Sequence, residues 1–285
     1  QLIYEFKPST HLAQGTITIS LNASKGGSRE IILPKKAKKI NLMVNSKQQF
    51  DPAKQNKVRL PIKPGENSFK ITWQQDWKRS FSEKIPSITT DLQGVNVNQH
   101  FVVGQRWLLW ANGPAWGPAI LMWGKLCFAF ILAIILAWRP WAPLNTWQWF
   151  LLLAGLAQHH PTVWIISILW FVAFAIRQLY WHKVKSIMLF NFGQLALAGG
   201  TVIFLIFFTY IVQSNLLSSV DMQVSGNHSN TGQLTWYVDH FDFSQGSDLI
   251  MVYSAPMWLW RVIMLIWALW FASQLFAWLK WAWRS

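Results

Sequence analysis

Residues Ile187–Val212 read IMLFNFGQLALAGGTVIFLIFFTYIV, 26 residues without an Asp, Glu, Lys or Arg. At 1.5 Å per residue this is about 39 Å of helix, against a hydrocarbon core of about 30 Å. Such a run reads as a transmembrane helix, because lipid offers no partner for backbone polar groups and a helix satisfies its own. Working outward, Pro161–Tyr180 is charged only at Arg177, and Ala255–Leu279 only at Arg261. Ala119–Trp138 carries one charge, Lys125, and Pro143–Ala157 is apolar but only about 22 Å long. The expectation is a bundle of about five transmembrane helices within 106–285. Segments 143–180 either span twice or form a re-entrant pair, and spanning is the favoured form.

The rest of the composition agrees. Of 285 residues 52% are apolar, 13% are charged and 21 are Trp, which excludes a disordered chain and disfavours a single soluble globule. The one cysteine, Cys127, excludes an internal disulfide framework and falls inside the first apolar segment, where a thiol is inert. Residues 1–105 differ: sixteen basic and seven acidic residues give a net of +9, with only Trp73 and Trp77. Gly15–Leu21 alternates polar and apolar, as do the runs around Ile40, Val58 and Phe69, the period of half-buried strands. Lys63-Pro64-Gly65-Glu66 is a type II turn signal and predicts a hairpin. With further extended runs at Leu2–Phe6, Arg29–Leu33, Ile85–Leu92 and Val95–Val103, residues 1–105 are expected to form a small antiparallel β-sandwich. Lys35–Lys39 reads as a solvated loop, or as a contact for anionic headgroups or polymer.

Loop charges set the orientation. Arg139, then Arg177, Lys183 and Lys185, then Lys280 and Arg284 occupy alternate ends, while Gln158-His159-His160 and 213–254 contain no Lys or Arg. By the positive-inside rule the C-terminus is cytoplasmic and the 1–105 domain extracytoplasmic, with 213–254 an extracytoplasmic loop. Trp107, Trp110, Trp116, Trp258 and Trp260 fall at the outer interface, and Trp138, Trp141, Trp147, Trp181, Trp278, Trp281 and Trp283 at the inner one. The chain opens at Gln1, which implies a removed leader or a further N-terminal region.

Four stretches carry a resemblance: Gln105–Trp110 with Gly113–Ala119 (QRWLLW and GPAWGPA), Pro143–Trp149 (PLNTWQW), Asp221–Asn227 (DMQVSGN) and Arg261–Trp270 (RVIMLIWALW). Together they resemble the C-terminal part of a family of large, uncharacterised proteobacterial inner-membrane proteins, from about Pro64-Gly65 to the C-terminus. The resemblance implies a bacterial envelope setting and a missing N-terminal portion as a partner region. It implies no activity.

No residue pattern announces catalysis. There is no Gly-x-Ser-x-Gly, P-loop, dinucleotide fingerprint or His-Glu-x-x-His, so neither a cofactor nor an enzyme active site is expected. His159, His160, His228, Asp239, His240 and Asp242 all fall on the outer side, and imidazole with carboxylate suits a divalent metal, but no spacing among them is diagnostic. Lys125 and Arg261 are costly at membrane depth. They are expected to snorkel outward to an acidic cap formed by Asp221, Asp239, Asp242 and Asp248. Within that loop Met222–Val224 and Leu234–Val238 suggest a short hairpin. Gly193, Ala196 and Gly200, and likewise Ala268 and Ala272, present small residues at helical spacing and predict helix-packing faces. Gly113-Pro114 and Gly117-Pro118 would form a stiff elbow between domain and membrane.

These readings favour a non-catalytic membrane protein that anchors and orients a periplasmic β-domain. Its partners would be membrane lipids and an envelope protein or polymer, and nucleic acid is disfavoured. The alternative is a transporter or channel component with a polar path through the bundle. A third reading is the membrane part of an enzyme whose active site lies in sequence preceding Gln1.

Overall fold

The computed structural model describes residues 1–49, 56–114, 116–138, 141–180, 187–242 and 250–284. The chain forms two compact units, one of Gln1–Ile120 with Met222–Pro256, the other of Leu121–Asp221 with Met257–Ser285. The expected extracytoplasmic loop 213–254 therefore supplies most of its length to the β unit.

Strands of the β unit follow in chain order: β1 (Leu2–Pro8), β2 (Leu12–Ala23), β3 (Gly27–Ile32), β4 (Ala37–Val44), β5 (Lys47–Gln49), β6 (Lys57–Ile62), β7 (Gly65–Asp76), β8 (Ser82–Lys84), β9 (Thr89–Thr90), β10 (Gln93–Val102), β11 (Arg106–Asn112) and β12 (Ala119–Ile120). After the fourth helix come β13 (Val224–Ser225), β14 (Gln233–Asp242) and β15 (Met251–Pro256). The largest sheet has seven strands in the order β14-β10-β1-β2-β7-β4-β5. Smaller sheets are β6-β3-β9, β11-β15-β8 and β12-β13.

Register explains why β14 belongs. Side chains directly opposite one another in neighbouring strands share a face, so rows run across the sheet. One row is Leu234, Phe101, Phe6, Gly15, Trp73; the next is Trp236, Gln99, Tyr4, Ile17, Ile71, Leu42. Every residue in both rows is buried. Leu234 and Trp236 thus continue a buried face begun some 130 residues earlier in the chain, and without them Phe101 and Gln99 would lie at an open edge.

Three β-structure expectations are corrected. The sheet is mixed, not antiparallel, because β1 pairs parallel with β10; the long excursion between them imposes no hairpin geometry. Lys63–Glu66 is not a hairpin turn, since β6 pairs with β3 while β7 pairs with β2 and β4. The buried Asn67 accepts from the Lys63 N–H (3.0 Å) and donates to the Lys63 and Gly65 carbonyls (2.7 and 2.9 Å), satisfying the backbone as the chain passes from one sheet to another. Nor do 222–224 and 234–238 pair together: β13 pairs with β12 and β14 with β10. The Lys35–Lys39 run is part loop, with 37–39 entering β4.

The Gly-Pro elbow has a packing reason of its own. A Cβ on Gly113 or Gly117 would sit 2.4 or 2.5 Å from the Trp236 indole, so both glycines are required for the segment to lie against that buried ring. The Tyr237 N–H donates to the Trp116 carbonyl (2.9 Å) and closes part of the outer edge of β14.

The helical unit contains α1 (Met122–Ala137), α2 (Thr146–Gly155), α3 (Thr162–Tyr180), α4 (Ile187–Leu217) and α5 (Met257–Arg284). Among the described residues three helices, α3, α4 and α5, are long and apolar enough to cross a membrane. Of the five segments expected to be membrane helices, α1 and α2 fall short of that length. Ala119 and Ile120 are taken by β12, leaving α1 sixteen residues, about 24 Å; Asn145 caps α2 late, leaving it ten, about 15 Å. That cap is reciprocal: Asn145 accepts from the Gln148 backbone and Gln148 from the Asn145 backbone, both at 2.9 Å.

Aromatic rings, not small residues, join these helices. Trp170 of α3 stacks on Phe204 of α4 at 4.4 Å, and Phe208 of α4 on Phe271 of α5 at 4.6 Å. Phe171 lies 5.1 Å from Trp149 of α2 and 5.3 Å from Trp278 of α5. The expected small-residue faces are corrected: Ala196, Gly200 and Ala272 are exposed, Gly193 and Ala268 are half-buried, and a Cβ on Gly200 would meet nothing within 4 Å. Close approach occurs at Gly155 instead, where a Cβ would lie 1.9 Å from the Trp267 indole, whose N–H donates to the Leu151 carbonyl at 2.8 Å.

A fragment ending at residue 105 lacks β14 and β15 and should unfold without a cooperative transition. Joining 1–120 to 222–256 through a short Gly-Ser loop, across the paired ends of β12 and β13, should restore one in thermal denaturation followed by circular dichroism. A cooperative transition in the shorter fragment would show that β14 is dispensable.

Candidate functional site

The most polar locus in the helical unit forms where α2 turns into α3. Asn215, two residues before the end of α4, is buried and donates to the Gly155 carbonyl at 2.8 Å. A carbonyl needs a donor, so the amide nitrogen of Asn215 faces Gly155 and its oxygen faces His159 Nε2 at 3.1 Å. His159 therefore carries its proton on Nε2. Lys125, in the first turn of α1, donates to the His159 carbonyl at 2.9 Å, with its ammonium 5.8 Å from the Trp164 ring centre. Gln158 accepts from the Asp221 N–H at 2.9 Å. A pocket of about 120 Å³ beside this cluster is lined by Gln158, His159, Asn215, Asp221 and Trp260 together with serines of the α4 end.

The electrostatics favour a neutral His159. Burial holds its pKa below the ordinary value of 6.5; the Asn215 hydrogen bond opposes this and the Lys125 charge reinforces it.

The residues singled out by sequence fall as follows. His159 and His160 occupy the α2–α3 turn of the helical unit, with His160 Nδ1 3.2 Å from Thr162 Oγ1. His228, Asp239 and His240 belong to the β unit. Asp239 and His240 are consecutive in β14 and so point to opposite faces. The side chain of Asp242 lies outside the described residues, as does Asp248. Among the described residues no group of three His, Cys, Asp or Glu is placed to hold a metal ion. Lys125 lies within range of the Asp221 charge and holds the end of the α2 segment through the His159 carbonyl. Arg261 is exposed on α5 and makes no ion pair among the described residues.

Sequence reasoning passed over Asn215 and a second polar network, in the β unit. Glu83 is wholly buried and pairs with Arg79 at 2.8 Å, and Arg79 also donates to the Pro8 and Val103 carbonyls. Arg106 donates to Ser254 through Oγ (2.9 Å) and carbonyl (2.7 Å), and to the Ser80 carbonyl (2.9 Å). These bonds tie β11 to β15 and to the segment before β8. The only sequence signal was the placement of charges beside strands; which carbonyls they meet depends on the distant strand β15.

No protein-family model matches the chain, and no curated protein matches it. Among solved structures, it is similar to the crystal structure of an aminopeptidase N family protein from Idiomarina loihiensis, 13% identical over 35% of this chain and 22% of that one, with a TM-score of 0.27. At that score the likeness carries no argument about fold or activity.

Replacing Asn215 by Leu leaves the Gly155 carbonyl and the His159 N–H without partners and should cost about 2–3 kcal/mol. His159 supplies a pH test. Because its folded pKa is depressed, its contribution is complete above the unfolded value and is lost as pH falls below about 6.5. The melting midpoint in detergent should therefore drop more steeply between about pH 7 and pH 5 in the parent protein than in His159→Gln. Parallel pH curves would contradict the burial of a neutral imidazole.

Proposed function

We propose that this is an integral protein of the bacterial inner membrane whose helices anchor and orient the β unit on the extracytoplasmic side. There the β unit binds a partner protein, an envelope polymer or lipid headgroups, without catalysing a reaction. The observation that carries this is the origin of β14 and β15 between α4 and α5. A sheet whose strands come from both sides of α1–α4 has all of them in one compartment, so α1–α4 together cross an even number of times. One further crossing by α5 leaves the C-terminus on the opposite side, and the basic loops supply the direction.

The passages between units support an orienting role. α1 begins two residues after β12 ends, and α5 begins at the residue after β15.

Segments 143–180, with α2 and α3, are best read as a spanning pair. Gln148 of α2 bonds Gln274 of α5 at 3.1 Å, while His159 shares a pocket with Trp260. The α2 segment thus runs beside about 21 Å of α5, more than its ten helical residues alone suggest. His159 lies level with the first turn of α1, the last turn of α4 and the first turn of α5, all next to passages into the β unit. A re-entrant pair opening from the cytoplasm would instead carry His159 to mid-membrane. The same geometry speaks against a transport path. Among the described residues the buried polar side chains of the helical unit are Ser167 and Asn215. Ser167 is satisfied by the Val163 carbonyl at 2.8 Å and Asn215 by the bonds above, and aromatic rings fill the core between.

In a Cys127→Ser background, single cysteines replacing Ser28 and His160 should both react with an impermeant thiol reagent in intact spheroplasts. One replacing Ser285 should react only after permeabilisation. Protection of position 160 while position 28 reacts would overturn the spanning pair and return the transport reading.

A further inference from the structure

Strand register separates the two faces of the sheet β11-β15-β8. Leu108 lies opposite Ser254, and Val252 lies between Ala111 and Glu83; Leu108, Ser254, Val252 and Glu83 are all buried. The row Trp110, Tyr253, Ser82 belongs to the other face. Alternation alone would turn Trp110 inward, two residues after the buried Leu108. The register shift between Leu108 and Trp110 reverses it, and the indole is 53% exposed. Phe81, the residue before β8, is 60% exposed, and its ring meets that of Tyr253 edge-on at 6.2 Å. Three aromatic side chains therefore share the outer face, one of them brought out by an extra residue in β11. Exposed apolar patches of this kind mark contact with a membrane or a partner.

Place in the chain favours the membrane. The Phe81 carbonyl accepts from the Ser254 N–H at 2.9 Å. Ser254 is three residues before Met257, the first residue of α5, and three residues span at most about 11 Å. Trp258, in the first turn of α5, is itself 62% exposed. Charge points the same way. Between Trp77 and Lys84 the exposed charged side chains are Lys78 and Lys84, while the carboxylate of Glu83 is wholly buried on Arg79. Aromatic rings sit well at headgroup level, and a lysine stem carries its ammonium to anionic phosphates.

We propose that Phe81, Tyr253 and Trp110 form an interfacial foot, resting in the headgroup layer of the membrane that α5 enters, with Lys78 on lipid phosphates. The contact presupposes that the helices are membrane-embedded, as proposed above, and assigns lipid to one face of the β unit. The buried network behind that face then has a purpose: Glu83 on Arg79, and Arg106 on the Ser80 carbonyl at 2.9 Å, fix the segment that carries Phe81. The foot adds to the covalent passages an attachment to the bilayer itself, which limits rotation of the β unit about them.

The test uses the full chain in a Cys127→Ser background, reconstituted in vesicles of phosphatidylcholine and phosphatidylglycerol, with single cysteines carrying a polarity-sensitive fluorophore. Phe81 is exposed, so Phe81→Cys removes little packing. The label at 81 should emit at shorter wavelength than one at Ser28→Cys, in the sheet β6-β3-β9. It should lose more emission to a nitroxide at the lipid headgroup than to one at the end of the acyl chain, whereas the label at 28 should be quenched by neither. Leu269→Cys, exposed midway along α5, should be quenched most by the deep nitroxide. No quenching at 269 would sink the membrane reading and this contact with it. Quenching at 269 with none at 81 would sink the contact alone. A short-wavelength emission at 81 without quenching would mean that protein covers the face, and would overturn the lipid contact in favour of a partner protein.

Discussion

The pairing of β14 with β10 is the contact on which the rest of the architecture depends. It places two buried side chains, Leu234 and Trp236, at the end of rows that cross the sheet through Phe101 and Gln99. Trp236 in turn receives Gly113 and Gly117, the segment that leads to α1. One strand thus completes the largest sheet, shapes the exit toward the first helix and fixes where the chain emerges from α4. Its burial draws on the hydrophobic effect within the β unit.

Inside the helical unit a different physics operates. In the membrane setting proposed above, lipid tails are as apolar as the helices, so association relies on close van der Waals packing and a few interhelical hydrogen bonds. Here the packing is supplied by interlocked rings from Trp170 through Phe204, Phe208 and Phe271 to Trp267, and by Gly155, which lets an indole reach a helix backbone. Hydrogen bonds join the helices in mid-course, from Trp267 to Leu151 and from Trp170 to Thr201, and at their ends, where Asn215 and Lys125 secure the short α2 segment. An aromatic interior with polar latches at its ends suits an anchor more than a conduit.

Much of this was legible in the chain. Apolar runs of 20 residues or more with at most one charge marked the long helices, and period-two alternation marked β1, β2, β7 and β10, because both signals are local. The pattern Leu234, Trp236, Val238 also announced a strand, yet its partner lies about 140 residues away, and alternation says nothing about partner choice. The Lys63–Glu66 turn misled for the same reason: a Pro-Gly signal specifies a reversal, and Asn67 turned it into a passage between sheets. The small residues of α4 misled because spacing alone does not distinguish a packed face from one turned outward. Asn215 was invisible as one polar residue near the end of an apolar helix; its meaning comes from Gly155 and His159 on another segment.

The most direct measurement of the central claim is a disulfide between β10 and β14 in native membranes. The N–H of Tyr237 is given to Trp116, so Tyr237 and its opposite residue Asn98 form a non-hydrogen-bonded pair, with Cα atoms about 4.5 Å apart, within the range a disulfide accepts. In a Cys127→Ser background, Asn98→Cys with Tyr237→Cys should cross-link within one chain on mild oxidation, while Asn98→Cys with Trp236→Cys, on opposite faces, should not. Absence of the 98–237 bond, or equal bonding at both pairs, would mean that the segment after α4 does not complete the sheet, and the even-crossing topology built on it would fall.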